Sequence, residues 1–135
     1  RWSDAIGMKS GLTVAPLLVL SASAALASDM LPLTKGIYVV AGTPCKGASN
    51  VDSVSYWGED NGINNQRTDC RITGLTKKRS TYSLQRACTD LREGFSFADK
   101  AEVTVRNRTS FVIHGGLRFA NDNRSFRYCG PKVEF

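Results

Sequence analysis

The stretch EVTVRNRTSFVIHGGLRFANDNRSFRYC, residues 102–129, decides the fold class. Directly opposed residues of an antiparallel pair share a face, so each turn is placed by asking which position brings apolar residues opposite one another. A turn centred on Arg108 sets Val105 opposite Phe111 and Val103 opposite Ile113. A second, through His114-Gly115-Gly116, sets Ile113 opposite Leu117 and Phe111 opposite Phe119. A third, through Asn121-Asp122-Asn123, sets Phe119 opposite Phe126 and Leu117 opposite Tyr128. The same apolar face returns at each turn, which predicts a four-stranded meander from Glu102 to Cys129.

Working outward, the segment Gly36–Ala41 is rich in β-branched and aromatic residues and is stopped by Gly42-Thr43-Pro44. Val51–Trp57 alternates, with Val54 and Tyr56 on one face and Ser53, Ser55 and Trp57 on the other. Cys70-Arg71-Ile72 and Tyr82-Ser83-Leu84 flank a polar loop, Thr76–Ser80, and read as a hairpin with an exposed Lys77-Lys78-Arg79 tip. Helical signal is thin, with Leu91–Phe97 at most a turn or a single helical turn. Short strands punctuated by turn residues predict an all-β fold, a small antiparallel meander barrel or sandwich of seven to eight strands. The supply of large apolar residues predicts an interior filled by side chains.

The first part of the chain reads as an address. LTVAPLLVLSASAALA, residues 12–27, follows Met8-Lys9 and precedes the polar Ser28-Asp29. That is the order of a secretory signal peptide, with Ala25-Leu26-Ala27 as the small-x-small cleavage site. A membrane span needs about 20 apolar residues, and Pro16, Ser21 and Ser23 interrupt a shorter run; Pro16 also argues against a buried helix. The expected organisation is residues 1–7 as upstream or vector-derived sequence, 8–27 as signal peptide and 28–135 as one disulfide-bonded β domain. The whole chain has 18 Lys and Arg against 12 Asp and Glu. Setting aside Arg1, Lys9 and Asp4 leaves 28–135 with 16 against 11, so the basic balance belongs to the domain.

Cys45, Cys70, Cys88 and Cys129 all lie in that domain, an even number in an exported chain, and predict two disulfides. Zinc binding and redox chemistry would call for a C-x-x-C pair that is not there. Spacing leaves the connectivity open. The preferred pairing is Cys45 with Cys70 and Cys88 with Cys129, which would tie the first loop and the last strand to the body; Cys70 with Cys88, on adjacent strands of one hairpin, is its rival. Each bridge would contribute about 2–4 kcal/mol.

Catalytic signals are weak. The single histidine, His114, precedes Gly115-Gly116 without a nucleophile-elbow motif and reads as an exposed turn residue. Glu59 and Asp60 are neighbours in a Gly-rich loop and lack the separation across a cleft that paired-carboxylate hydrolysis needs. No phosphate-cradling or zinc-protease motif occurs, so neither a catalytic residue nor a cofactor is expected. The basic residues are more informative. Lys77, Lys78 and Arg79 form a hairpin tip, and Arg106, Arg108, Arg118, Arg124 and Arg127 interleave with aromatics in the meander. Strand alternation sends those aromatics inward and most of the arginines outward. The result is either a solvated basic exterior or a surface for an anionic partner.

Through Gly36-Ile37-Tyr38, Thr43-Pro44-Cys45, Ser55-Tyr56-Trp57, Arg108-Thr109-Ser110-Phe111 and Arg127-Tyr128-Cys129-Gly130, taken in order, the chain resembles small exported bacterial β-domains known mainly as hypothetical proteins. The resemblance covers nearly all of 28–135 and implies export and a β fold, with no activity attached. In size, export and disulfide-bonded β character the chain is also similar to the periplasmic inhibitors of c-type lysozyme. That likeness is architectural, and no residue role is carried over from it. The expectation is a non-enzymatic periplasmic or secreted cell-envelope binding domain. Its partner would be an anionic envelope polymer or a protein, with no nucleic acid and no transmembrane span once the leader is removed. The alternatives are a proteinaceous inhibitor of a lysozyme-like hydrolase, and an enzyme whose cleft converges on His114 or on Glu59 and Asp60.

Overall fold

The computed structural model describes Gly11 and residues 13–17, 30–115 and 123–132. Within them lie seven strands: β1 (Gly36–Val40), β2 (Ser53–Tyr56), β3 (Thr68–Lys78), β4 (Thr81–Asp90), β5 (Ser96–Asn107), β6 (Ser110–Gly115) and β7 (Arg124–Gly130). The described residues contain no helix, and hence none long and apolar enough to cross a membrane. The strands form one curled antiparallel sheet in the order β2-β1-β7-β6-β5-β4-β3. The protein is therefore all-β, as the alternation predicts.

Alternation explains the curl. Tyr38, Val54, Tyr56, Ile72, Leu84, Val103, Phe111, Ile113 and Phe126 fall at inward positions and meet in one core, closed by Leu31 and Leu33 from the segment before β1. At its centre Phe111 stacks on Phe126, with ring centroids 5.3 Å apart, and Tyr38 tilts against Phe111 at 5.0 Å. Each such buried ring contributes about 1.5–3 kcal/mol by leaving water. Tyr56 fixes the plug: its hydroxyl accepts from the Leu31 amide at 3.0 Å and donates to the Leu31 carbonyl.

Seven antiparallel strands cannot close a ring, because the first and last in the order run the same way. The segment between β2 and β3 resolves this. Asn64 exchanges backbone hydrogen bonds with Ser55 of β2 at 2.7 and 2.8 Å. Its carboxamide acts toward β3 like a peptide group, accepting from the Cys70 amide at 3.0 Å and donating to the Cys70 carbonyl at 3.2 Å. The Gly62 amide also donates to the Cys70 carbonyl, and the Ile72 amide to that of Glu59. This irregular eighth stave packs so tightly that a Cβ on Gly62 would stand 2.3 Å from Ile72.

A buried ion pair holds the stave from inside. Arg86 lies at an inward position of β4 directly opposite Asp99 of β5. Its Nε and Nη2 donate to the two Asp99 oxygens at 2.8 and 2.7 Å, and Nη1 donates to the carbonyls of Gly62 and Ile63 at 3.1 and 2.6 Å. The side chains are only 1% and 8% exposed. Ile63 has φ 50°, a left-handed conformation rare for a β-branched residue; its buried side chain and the Arg86 contact hold it there.

Three expectations need correction. First, among the described residues the meander from β5 has three strands, β5, β6 and β7, where four were expected. Val105 does face Phe111, and Val103 does face Ile113. The other edge of β6, however, pairs with β7, which sets Phe111 opposite Phe126 and Ile113 opposite Arg124. Phe126 and Tyr128 also face Val40 and Tyr38 of β1. No edge is left at Phe111 for Phe119, or at Phe126 for Phe119; residues 116–122 themselves, Leu117 and Phe119 included, lie outside the described residues. Secondly, the disulfides are Cys45–Cys129 and Cys70–Cys88, so the pairing of Cys45 with Cys70 is wrong and the one-hairpin alternative is right. Cys70 and Cys88 are directly opposed on β3 and β4. Thirdly, the 76–80 loop is tighter than expected: β3 runs to Lys78, β4 starts at Thr81, and Arg79 takes the positive φ, 59°, that a two-residue hairpin turn needs at its first central position. Leu91–Glu93 form a turn and Phe97 already belongs to β5. Most of the expected signal peptide lies outside the described residues.

Candidate functional site

Register brings the basic residues of two hairpins to one end of the sheet. Thr81 of β4 faces Thr104 of β5, so the β3–β4 tip and the β5–β6 tip project together. The Val105 amide joins them by donating to the Ser80 carbonyl at 2.9 Å. Lys77, Lys78 and Arg79 are exposed on one tip and Arg106 and Arg108 on the other. Lys77 lies over the Tyr82 ring, 5.6 Å from its centroid, a cation–π arrangement that fixes the root of the first tip. In the second, Asn107 Oδ1 accepts from the amide and hydroxyl of Thr109, at 2.9 and 3.0 Å, a side-chain turn that holds Arg106 and Arg108 outward.

The segment entering β1 docks beside them. The Thr34 amide donates to the Arg108 carbonyl at 2.7 Å, and the Tyr38 hydroxyl donates to the carbonyls of Thr34 at 2.6 Å and Arg108 at 3.2 Å. Burial, with Tyr128 and Tyr56 nearby, pushes the Tyr38 phenol well above its ordinary pKa, so it stays a donor at any physiological pH. Tyr128 adds a bond from its hydroxyl to the Lys35 carbonyl at 3.3 Å. Exposed Lys35 thereby joins the same end.

This end is one-signed. The described residues include 15 Lys and Arg and 8 Asp and Glu. Six of the basic residues (Lys35, Lys77, Lys78, Arg79, Arg106 and Arg108) and none of the acidic ones stand on the stretches 34–35, 77–82 and 104–109 that form it, with Glu102 the next acid along β5, leaving nine against eight elsewhere. Almost the whole charge excess of the described body is thus concentrated at one end.

The other expected basic residues do not join it. Arg124 is at the opposite end of β7, ion-paired to Asp52 at 2.9 Å. Arg127 points outward from β7 beneath the 41–50 loop, where it donates to the Thr43 carbonyl and contacts Cys45 Sγ at 3.1 Å, so its role is to secure the disulfide loop. Arg118 lies outside the described residues. Of the eight expected binding residues, five come together; Lys35 was missed.

The catalytic candidates do not assemble. His114 is exposed, as expected, but lies within β6, one residue before its end, rather than in the turn; its Nε2 is 2.6 Å from Thr104 Oγ1, which is 2.9 Å from Thr81 Oγ1. No carboxylate among the described residues is hydrogen-bonded to the imidazole. Glu59 and Asp60 remain neighbours in the stave, with Asp60 exposed. The described residues hold no His, Cys, Asp and Glu grouping suited to a metal.

Sequence reasoning also missed a polar cluster at the start of β3. Asp90 accepts from the amides of Arg92 and Glu93 at 2.8 and 3.0 Å and from Arg67 Nε at 3.2 Å. Its side chain is fully buried. Burial pushes this carboxyl upward, but the two amides and the guanidinium outweigh it and hold the group below the usual carboxylate range. The cluster fixes the turn that carries Leu91. The signal was available in the alternation, since Tyr82, Leu84, Arg86, Cys88 and Asp90 share one face of β4. Comparison with protein-family models, with curated proteins and with solved structures found no match.

Proposed function

We propose that the protein is a non-enzymatic, exported binding domain of the cell envelope whose basic end engages an anionic polymer. The observation that carries this reading is the segregation of charge: six cations and no described acid on the segments of one end, against near balance elsewhere. Clustered like charges raise the local potential and attract a polyanion, with release of its counterions on binding. Rigid hairpin tips tied by backbone hydrogen bonds hold the cations in place before the ligand arrives. Two disulfides suit an oxidising compartment, and the leader-like 8–27 segment supports export.

The test is retention on immobilised heparin across a salt gradient. The triple variant Lys77→Gln, Lys78→Gln, Arg79→Gln is compared with Lys46→Gln, Arg92→Gln, Lys100→Gln, which removes the same charge from exposed positions elsewhere. The tip variant should elute at distinctly lower salt than the body variant. Equal shifts would mean that net charge alone governs retention, and the reading would fail.

A further inference from the structure

A second surface has a different chemistry. Where β2 meets the eighth stave, an open groove of about 410 Å³ is lined by Trp57, Leu91, Asn61, Asn64, Asn65 and Gln66, among others. Trp57 is 40% exposed and Leu91 60%, two of the few large apolar side chains that the described residues leave in water. The lining holds a single charged side chain, Asp69, whereas the tips carry only cations.

The groove is also rigid. The Trp57 amide donates to the Asn61 carbonyl at 2.7 Å. Asn61 Oδ1 accepts from Asn64 Nδ2 at 2.7 Å, and Asn65 Oδ1 accepts from the Arg67 amide at 2.9 Å. These bonds occupy the carbonyl oxygens of both asparagines and leave the NH2 groups of Asn61 and Asn65, and the whole Gln66 carboxamide, with no hydrogen bond to the described residues. The same stave carries the strained Ile63, whose carbonyl accepts from buried Arg86, and the turn held by Asp90 brings Leu91 into the lining. An exposed indole, an exposed leucine in the same lining and planar amides with donors to spare constitute the chemistry that takes an uncharged ring with one apolar face and a rim of hydroxyls.

We infer that this groove is a binding site for a neutral saccharide, a β-linked pyranose of gluco configuration. Only in that configuration do the ring C–H groups form a flat apolar face with every hydroxyl at the rim. The C–H face stacks on Trp57 against Leu91, and the amides of Asn61, Asn65 and Gln66 meet the hydroxyls. Asn64 is a positioning residue, since its carboxamide is spent on Cys70 and Asn61. The site stands apart from the basic end and does not rest on the polymer proposal.

The chain has two tryptophans, Trp2 and Trp57, so the full chain with Trp2→Phe reports on Trp57 alone. Titration with cellotetraose and with chitotetraose, each to 10 mM, is followed by indole fluorescence and repeated by calorimetry. The expected result is a saturable blue shift with at least one of the two sugars. By calorimetry, Trp57→Ala should weaken binding roughly tenfold and Gln66→Ala by a smaller factor, while Lys77→Gln, Lys78→Gln, Arg79→Gln leaves it unchanged. Far-ultraviolet circular dichroism checks that each variant is folded. No saturable signal with either sugar overturns the inference, as does binding that survives Trp57→Ala intact or is lost in the tip variant.

Discussion

Replacing Asp99 by alanine removes the acceptor for two of the four hydrogen bonds made by the Arg86 guanidinium, at 2.8 and 2.7 Å, and leaves the other two on the carbonyls of Gly62 and Ile63. The Arg86 side chain is 1% exposed, so water cannot take the place of the lost carboxylate without opening the core. Removing one partner of a buried ion pair costs about 3–5 kcal/mol. In a domain of this size each kcal/mol moves the midpoint by roughly 4–8 °C, so Asp99→Ala should melt at least about 12 °C below the wild type. Asp99→Asn keeps the shape and one acceptor and should fall between the two. The double variant Arg86→Met, Asp99→Ala removes the stranded charge but orphans two buried carbonyls, each at about 1–3 kcal/mol, and should recover only part of the loss. Thermal and urea unfolding of the full chain, with both disulfides intact, measure all four proteins. An Asp99→Ala protein within about 1 kcal/mol of the wild type, the size of an ordinary point substitution, would refute the argument that this pair compensates the buried charge.

The disulfides should differ in worth. Loop-closure entropy over separations of 84 and 18 residues gives about 4.5 kcal/mol for Cys45–Cys129 and about 3 kcal/mol for Cys70–Cys88; urea midpoints of the two double-alanine variants check the order. Asp90 provides the pH dependence. Because its folded carboxyl is held below the usual range, its contribution is complete above the unfolded value near ~3.9 and is lost as pH falls through the folded one. Asp90→Asn should therefore melt lower than the wild type at pH 6, and the difference should shrink toward pH 2; a difference constant with pH would show that the charge is not what the turn uses.

The sequence reading succeeded where the contacts are local. The Arg108 turn set the β5–β6 register correctly because a short turn and an apolar face leave few alternatives. The reading failed one strand later because Phe119 and Phe126 satisfy the same inward position, and a pattern cannot say which phenylalanine occupies it. The Cys70–Cys88 bridge was hidden by a single residue. The two-residue turn alone would set Cys70 opposite Thr89 and put the cysteines on opposite faces; the slip between Ile72 and Gly74 brings Cys88 into place. A glycine inside a strand was the available sign of that bulge. At the basic end, the identities of five residues were readable, but their meeting depends on the register between β4 and β5. Lys35 arrives only through the docking of β1 on β7, a contact between distant parts of the chain. Asn64 was unreadable for a related reason, since no periodicity marks a side chain that substitutes for a backbone.

The pairing of β1 with β7 also dictates an order of events during synthesis. The hairpin of β1 and β2 leaves the ribosome first, and a lone two-stranded hairpin is marginal in water. Its lasting neighbour, β7, is made last, as is Cys129, the partner of Cys45. Until residue 130 is out, one edge of β1 and one edge of β6 stay unpaired and Cys45 lacks its partner, although β3 to β6 can already pair as consecutive hairpins. The two parts of the sheet, β2-β1 and β6-β5-β4-β3, are therefore joined along their strands only when the last one made takes its place between them.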